Sequence, residues 1–334
     1  MIHKAILLLA TIAILVGIIA AGVGCAGKAA LPPPEGLIPE GANLIVHIDW
    51  ARIINDADFR SAYEESARDS DLPTTAEEAL DWVEAETKFV LEQFSQAWFF
   101  GDTSRMEGDN PYLGILAEGA FDESEFIAAI AGQVQEELTP RDYKGYQVYE
   151  AEGMAVAFLK ADLLVFGSTA AVEDVIKVAE GERKSISGPT YDLYASLGAV
   201  MLKGAGAVPA EAMQELIGEL SQEQIPFQIA GLADLNAAGL ALDKSGDTLS
   251  LQLVFSFANA DSAEQVSTTL QQLITAAGMM PPEEGGLAAA ALALELLEKV
   301  QISVEGNRVN ITFEITLTEI KEAIQSIQSV AGGW

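Results

Sequence analysis

Apolar residues along the chain follow two spacings, one typical of strands and one typical of helices. Alternating or short continuous apolar runs, bounded by turn residues, predict strands over 44–50, 97–100, 112–118, 147–151, 154–159, 163–167, 227–232, 237–242, 249–257, 300–305 and 308–316. Helical spacing predicts helices over 59–67, 76–95, 122–137, 170–180, 209–221, 262–277, 287–297 and 318–330. Because short turns join many consecutive strands, an α+β fold with mostly antiparallel sheets is predicted.

The order of these elements repeats along the chain. In the first half, the strand over 112–118 leads into a helix, and a hairpin and a closing helix follow. In the second half, the strand over 249–257 begins the same order of elements. We therefore predict two related halves, 42–187 and 188–334, each a mostly antiparallel sheet with helices packed on it. Chance repetition of such an order is the alternative.

Three local signals locate the ends of elements. Thr75 and Glu78 form the pattern of a capping box before the helix over 76–95. Thr169 is predicted to cap the helix that follows it. The glycine-bearing stretch 203–209 matches neither a P-loop nor a complete dinucleotide-binding fingerprint, so a tight turn is predicted there.

The first residues have the pattern of an export signal. Lys4 gives a positive start, an uncharged apolar run extends over 5–24, and Cys25 follows directly. Residues 1–24 are therefore predicted to be a lipoprotein-type signal peptide. The Pro-rich stretch 25–41 is predicted to be an extended spacer that holds the folded part off the membrane.

The end of this segment resembles the lipobox of bacterial lipoproteins, in which the cysteine becomes the first residue of the mature chain and carries acyl groups. Val23 and Gly24 match the two positions before the cysteine, whereas Gly22 stands where the family usually has a leucine-like residue. The resemblance implies that Cys25 is a lipid attachment site. An uncleaved anchor helix, or ordinary signal cleavage shortly after the cysteine, are the alternatives.

Composition narrows the classes of partner. Asp and Glu number 50 against 18 Lys and Arg, which gives a formal net charge of -32. A surface this acidic repels phosphate backbones and anionic lipid headgroups, so nucleic-acid binding is disfavoured and membrane attachment is expected through the acylated N-terminus. The single cysteine excludes an intramolecular disulfide.

Candidate chemistry is sparse along the mature chain. His47 is its only histidine, and it shares a predicted strand face with Asp49, which allows a hydrogen-bonded pair. A half-buried strand position at the sheet edge is the ordinary interpretation of His47, and a catalytic role is the alternative. Metal sites built from Cys and His are excluded by count. The loop 102–109 offers three acids to a calcium ion, with a solvated loop as the default interpretation. No catalytic residue, metal ligand or cofactor is assigned.

The helix predicted over 287–297 is apolar nearly all round but too short to span a bilayer. Burial between layers is the ordinary interpretation for such a helix. The functional interpretation is the wall of an apolar-ligand cavity or a surface that meets a partner.

The layout also resembles bacterial extracytoplasmic lipoproteins of unknown function. Residues 37–43 resemble the start of those proteins before their first strand, and 143–146 resemble a lead into a later hairpin. The resemblance covers most of the mature chain and implies architecture and envelope location, but no chemistry. The predicted function is a membrane-tethered, non-catalytic binding or scaffold protein of the cell envelope, with an envelope protein or an apolar ligand as partner. A carrier of lipid and an envelope hydrolase using paired carboxylates are the alternatives.

Overall fold

The computed structural model describes residues 31–67, 73–87, 91–105, 111–134, 138–214, 230–279 and 297–320, together with 218 and 322. These residues divide into two compact units, one up to Ser187 and one from Gly188 onward. The predicted signal peptide and Cys25 lie outside the described residues. So do six of the thirteen residues of the helix predicted over 209–221, all but the last residue of the helix predicted over 287–297, and most of the helix predicted over 318–330. The fold is α+β, as predicted, and the strand pairings described within each unit are antiparallel.

The first unit is built on a sheet with the strand order β1-β2-β3-β7-β6-β5-β4. Its strands are β1 (Leu44–Asp49), β2 (Phe94–Gly101), β3 (Leu113–Gly119), β4 (Thr139–Tyr143), β5 (Tyr146–Ala151), β6 (Met154–Lys160) and β7 (Leu163–Ser168). Its helices are α1 (Trp50–Ile54), α2 (Ala57–Ala67), α3 (Ala76–Thr87), α4 (Glu123–Val134) and α5 (Thr169–Ala179). The meander predicted from 147 to 167 is confirmed as β5, β6 and β7.

Two helices supply most of the helical part of this unit's core. Helix α4 contributes Phe126 and Ile130 to a cluster whose aromatic rings meet edge to face, with centroids 5.4 to 6.4 Å apart. The rings belong to Phe94, Phe121, Phe126 and Phe158. Helix α5 packs on β6 and β7, and its Val172, Val175 and Ile176 have no exposed surface. These apolar contacts are what stabilise the two helices against the sheet.

The second unit is built on a sheet with the strand order β11-β12-β10-β9-β8. Its strands are β8 (Leu202–Ala207), β9 (Leu235–Ser245), β10 (Thr248–Phe257), β11 (Gln301–Glu305) and β12 (Arg308–Thr316). Its helices include α6 (Pro189–Ser196) and α7 (Ala260–Met279), and residues 210–214 and 317–320 are also helical. Ala263 and Val266 of α7 pack on Phe257 and Val309, all of them buried. The predicted hairpins β9–β10 and β11–β12 are confirmed.

The helix predicted over 76–95 is too long, and the prediction lacks strand β4. The helix over 76–95 ends at Thr87, and Phe94 begins strand β2, because pairing of that segment with β1 and β3 buries five of its eight residues. The capping box is confirmed: Thr75 N donates to Glu78 Oε2 at 3.2 Å, and Glu78 N donates to Thr75 Oγ1 at 3.1 Å. Strand β4 was not predicted because its residues are mostly polar and exposed.

The tight turn predicted over 203–209 is wrong, because 202–207 form strand β8. Leu193 of α6 packs closely on strand β9, which pairs with β8. A Cβ added at Gly239 would lie 3.2 Å from Leu193 Cγ. The predicted cap of α5 also differs by one residue. Ser168 is the N-cap, and its hydroxyl donates to the Leu113 carbonyl at 3.3 Å rather than to the helix.

Packing begins before residue 42, where the sequence placed the end of the spacer. A single 3-10 turn spans Pro34–Leu37, and the side chains of Leu37 and Ile38 have no exposed surface. Ile186 N donates to the Ile38 carbonyl at 2.7 Å. Only Glu35 and Gly36 separate the three consecutive prolines from Leu37, so apolar residues reach the core soon after this proline run.

Candidate functional site

His47 and Asp49 of strand β1 have separate hydrogen-bond partners. His47 is buried, with 8% of its surface exposed; its Nε2 pairs with Gln96 Oε1 at 2.9 Å, and its ring lies 4.8 Å from that of Trp98. Asp49 instead caps helix α1, accepting a hydrogen bond from Arg52 N at 3.1 Å. These contacts are structural, and His47 and Asp49 do not form the hydrogen-bonded pair that a shared strand face would allow.

Asp102 begins the loop 102–109, whose three acids could bind a calcium ion. Its Oδ1 accepts hydrogen bonds from Asn43 Nδ2 at 3.2 Å, from Ser104 N at 3.0 Å and from Ser104 Oγ at 2.7 Å. The other two acids of the loop lie outside the described residues. Among the residues that the structure describes, no group of three His, Cys, Asp or Glu side chains is arranged to hold a metal ion.

A buried carboxylate holds the chain where the spacer meets the fold. We call Asp174 and its three partners, Tyr112, Lys177 and Arg183, the Asp174 network. Asp174 is 7% exposed and accepts from Tyr112 Oη at 3.1 Å, from Lys177 Nζ at 2.9 Å and from Arg183 Nη1 at 2.5 Å. Burial raises the pKa of the Tyr112 phenol, and the charge of Asp174 raises it further. The network joins α5 to the residues before β3 and to the segment after α5.

The segment after α5 runs beside residues 39–41, at the end of the predicted spacer. Glu40 N donates to the Lys184 carbonyl at 3.0 Å, and Pro39 forms an antiparallel bridge with Ser185. Gly41 lies directly over the guanidinium, because a Cβ added there would be 3.0 Å from Arg183 Nη2. These hydrogen bonds hold residues 39 and 40 beside the segment that carries Arg183 of the Asp174 network.

One carboxylate of the first unit carries a raised pKa. Burial at the end of β3 raises the pKa of Glu118, and the ammonium of Lys160, at 4.0 Å, partly offsets this. Asp162, an acid that also pairs with Lys160 at 3.2 Å, adds to the rise. Glu118 and Asp162 therefore share the ammonium of Lys160 as their ion-pair partner.

The side chains of the second unit's sheet divide sharply by face. Residues that pair directly across antiparallel strands point to the same side, so each register row belongs to one face. One row joins Leu242, Leu251 and Phe313 across β9, β10 and β12. Two rows flank it on the same face. Toward the end of β10, the next row joins Leu240, Leu253 and Ile311. Toward the start of β10, the next row joins Lys244, Leu249 and Ile315.

Much of this apolar surface stays accessible to solvent. We call the seven residues below the open apolar face. They are Leu240, Leu242, Leu249, Leu251, Leu253, Phe313 and Ile315. Leu240 is 37% exposed, and the other six are partly exposed. Strands lie about 5 Å apart and alternate residues about 7 Å apart, so three rows across three strands span roughly 10 by 14 Å.

Helix α7 explains where this face begins. The next row along the strands contains Phe255 and Val309, which pack against α7, and Val309 has no exposed surface. The opposite face of the same two strands carries the buried Val254. Its other side chains, along the rows behind the open apolar face, are polar. They are Thr248, Ser250, Gln252, Thr312, Glu314 and Thr316. A sheet that alternates in this way normally buries its apolar side, whereas these rows stay partly exposed.

The end of β12 is fixed by charge. Glu319 pairs with Lys299, accepts from Thr316 N at 2.8 Å, and donates through its own N to Thr316 Oγ1 at 3.1 Å. The lysine ammonium and then the two Thr316 contacts lower the pKa of Glu319 to about 2. This capping box starts a helix directly after the strand, and a Thr-x-x-Glu pattern in the sequence could have indicated it.

The fold and this face together define an α+β protein with an accessible sheet surface in its second unit. None of the helices among the described residues combines the length and the apolar character needed to cross a bilayer. No protein-family model matches the chain, and no curated protein matches it.

Solved structures that are similar to the chain include three crystal forms of TP0453. Form III is 12% identical with a TM-score of 0.48, covering 88% of this chain and 98% of that one. Form I is 14% identical with a TM-score of 0.47, covering 89% and 98%, and form IV is 12% identical with a TM-score of 0.46, covering 89% and 97%. At this identity the similarity says nothing about activity or partner.

Proposed function

We propose that the chain is an extracytoplasmic lipoprotein, tethered to a membrane through Cys25, that binds an envelope protein through the open apolar face. The face carries the proposal, since seven partly exposed leucine, isoleucine and phenylalanine side chains lie in adjoining rows of one sheet surface. Full burial of one such side chain is favourable by a free energy of about 1.5–3 kcal/mol relative to full exposure. Covering the partly exposed face would therefore contribute several kcal/mol in total to the free energy of association.

The shape of the face favours a protein surface over a single apolar ligand. A small ligand is normally held in a concave pocket that buries most of its surface. Three adjoining rows of a sheet instead present a broad, shallow surface, which suits the side of a helix or another sheet. The lipid carrier stays an alternative outcome of the experiment below.

The tether is tested by comparing the full chain with a Cys25→Ala variant. Intact mass should show the native chain beginning at the cysteine with added acyl mass, and the protein should partition into membranes. The variant should lose the acyl mass, because no thiol is left to carry it. A variant that keeps the acyl mass, or a native chain that carries none, would disprove lipid attachment at this residue.

The face is tested by photocrosslinking in the native envelope. A photoreactive phenylalanine analogue is placed at Leu251, on the open apolar face, and at Gln252, the next residue of the same strand on the opposite face. We expect a discrete protein adduct from position 251 and none from position 252, since neighbouring strand residues point to opposite sides.

Two other results would change the conclusion. An adduct of lipid mass at position 251 alone would replace the protein partner with an acyl ligand on the same face. Equal adducts from 251 and 252, or no adduct from either while both variants melt like the native chain, would mean that the open apolar face is not a binding surface.

A further inference from the structure

Strand β11 leaves one side of its backbone without a partner strand among the described residues. Gln301, Ser303 and Glu305 pair with β12, and the two-residue turn after Glu305 places these odd-numbered residues in the hydrogen-bonded positions of that ladder. The N–H and C=O groups of Ile302 and Val304 therefore point away from β12. Val304 is 37% exposed, and Gln301, Ser303 and Glu305 are exposed too.

The outer strand of the first unit is protected in a way that β11 is not. In β4, the two-residue turn after Tyr143 places Pro140 and Asp142 at the outward-pointing positions. Proline has no N–H to offer, and its neighbour Arg141 is held by Glu150 and Glu173 at 2.5 and 2.9 Å. Natural sheets block unwanted pairing with proline and charge at such edges. Strand β11 carries Ile and Val at the corresponding positions, which favours pairing.

The sequence of β11 is complementary to itself. An antiparallel pairing centred on Ser303 joins all five residues with those of an identical strand. Ile302 then lies opposite Val304 of the second copy, which completes the outward hydrogen bonds with a pair of β-branched side chains. Gln301 lies opposite Glu305, so no like charges face each other directly despite the chain's net charge of -32.

We propose that two copies of this chain pair through β11, antiparallel, with a two-fold axis at Ser303. The pairing extends the sheet of each second unit by the sheet of its partner, and the apolar sides of Ile302 and Val304 continue across the junction. The proposal is independent of the tether and of the open apolar face, because it depends only on the edge of β11.

Disulfide trapping tests the register. In the full chain carrying Cys25→Ala, so that the introduced thiol is the only one, Ser303→Cys places two thiols across the axis in a non-hydrogen-bonded pair. Its Cα atoms would be about 4.5 Å apart, within disulfide range. Mild oxidation should give a covalent dimer as the main product. Ser245→Cys, an exposed strand-end position of the same unit, is the matched control and should stay monomeric.

Two further cysteine positions distinguish this register from any other. Gln301→Cys and Glu305→Cys should each fail to crosslink alone, because each would lie far from its own copy. A mixture of the two variants should crosslink, because the proposed axis brings position 301 of one chain opposite position 305 of the other. Self-crosslinking at 301 or 305, in place of 303, would overturn the proposal.

A proline substitution tests the backbone contribution without disturbing β12. Val304→Pro removes an outward N–H, whereas Val304→Ala shortens the side chain and keeps that N–H. Measured by sedimentation, the proline variant should dimerise at least roughly tenfold more weakly than the alanine variant, since two symmetry-related hydrogen bonds are lost. Added salt should strengthen the native dimer by screening its charge. A native chain that sediments as a monomer at all concentrations, with no Ser303→Cys crosslink, would refute the pairing.

Discussion

Replacing Asp174 by Asn should reveal how strongly the fold depends on the point where the spacer enters it. The Asp174 side chain is 10% exposed and accepts hydrogen bonds from one phenol, one ammonium and one guanidinium. Asn keeps the shape and one acceptor oxygen, but it removes the charge and turns an amide N–H₂ group toward one of the two cations. The perturbation therefore leaves Lys177 and Arg183 without their shared counter-charge.

The cost can be worked out from the exposure of the partners. Lys177 and Arg183 are 32% and 30% exposed, so solvent compensates part of their lost pairing, while the aspartate position itself is nearly dry. We expect Asp174→Asn to lower the free energy of unfolding of the first unit by about 2–4 kcal/mol. Tyr112→Phe removes one hydrogen bond and should cost about 1–2 kcal/mol. Lys177→Met breaks a contact that solvent already screens and should cost about 1 kcal/mol or less.

Urea unfolding followed by tryptophan fluorescence is a suitable assay. Three of the four tryptophans, at 50, 82 and 98, lie in the first unit, so the signal reports mainly on that unit. The double variant of Asp174→Asn with Tyr112→Phe should lose less than the sum of the two single losses, because the two residues share a hydrogen bond. An Asp174→Asn loss no greater than that of Lys177→Met would refute the view that this carboxylate organises the segment.

Three further predictions concern single side chains. Glu319 has a pKa of about 2 in the folded protein, against an ordinary value of 4.5. Its contribution to the free energy of unfolding is therefore present above pH 4.5 and is lost as pH falls toward 2. Glu319→Gln should weaken this dependence of stability on pH, which circular dichroism can follow during acid unfolding. Gly114→Ala should lower the melting temperature, because its Cβ would lie 2.3 Å from a phenylalanine ring, whereas Gly132→Ala, in an open helical position, should raise it slightly. Val309→Ala, under α7, should cost about 2–3 kcal/mol by urea unfolding, whereas Leu251→Ala, on the open apolar face, should cost about 1 kcal/mol or less.

The open apolar face illustrates what a residue pattern can and cannot reveal. The alternation over 249–257 predicts a strand whose odd-numbered residues share one side, and the structure has that strand. Whether that side is covered depends on where α7 lies, and α7 packs over Phe255 and Val309 but leaves Leu251 partly exposed. Periodicity specifies the direction of a side chain along its own strand, but it carries no information about what packs on it.

The Asp174 network lay beyond sequence reasoning for a related reason. Asp174 sits on a predicted helix, and its partner Tyr112 is 62 residues earlier in the chain. Nothing in the local pattern connects the two positions. Their contact depends on the pairing of β7 with β3, which inserts the end of the meander beside an earlier strand and brings α5 along with it.

Local chemistry determined much of this protein before any tertiary contact was known. Caps, turns and periodicity act within a few residues, so they specified most helices, most strands and the hairpins, as the capping box of Thr75 and Glu78 shows. The leader and Cys25 are likewise local patterns, and they stay predictions. Strand order, the early burial of Ile38, the accessible face and the edge that β11 leaves unpaired among the described residues were decided by tertiary structure, because each depends on which distant segments share a layer.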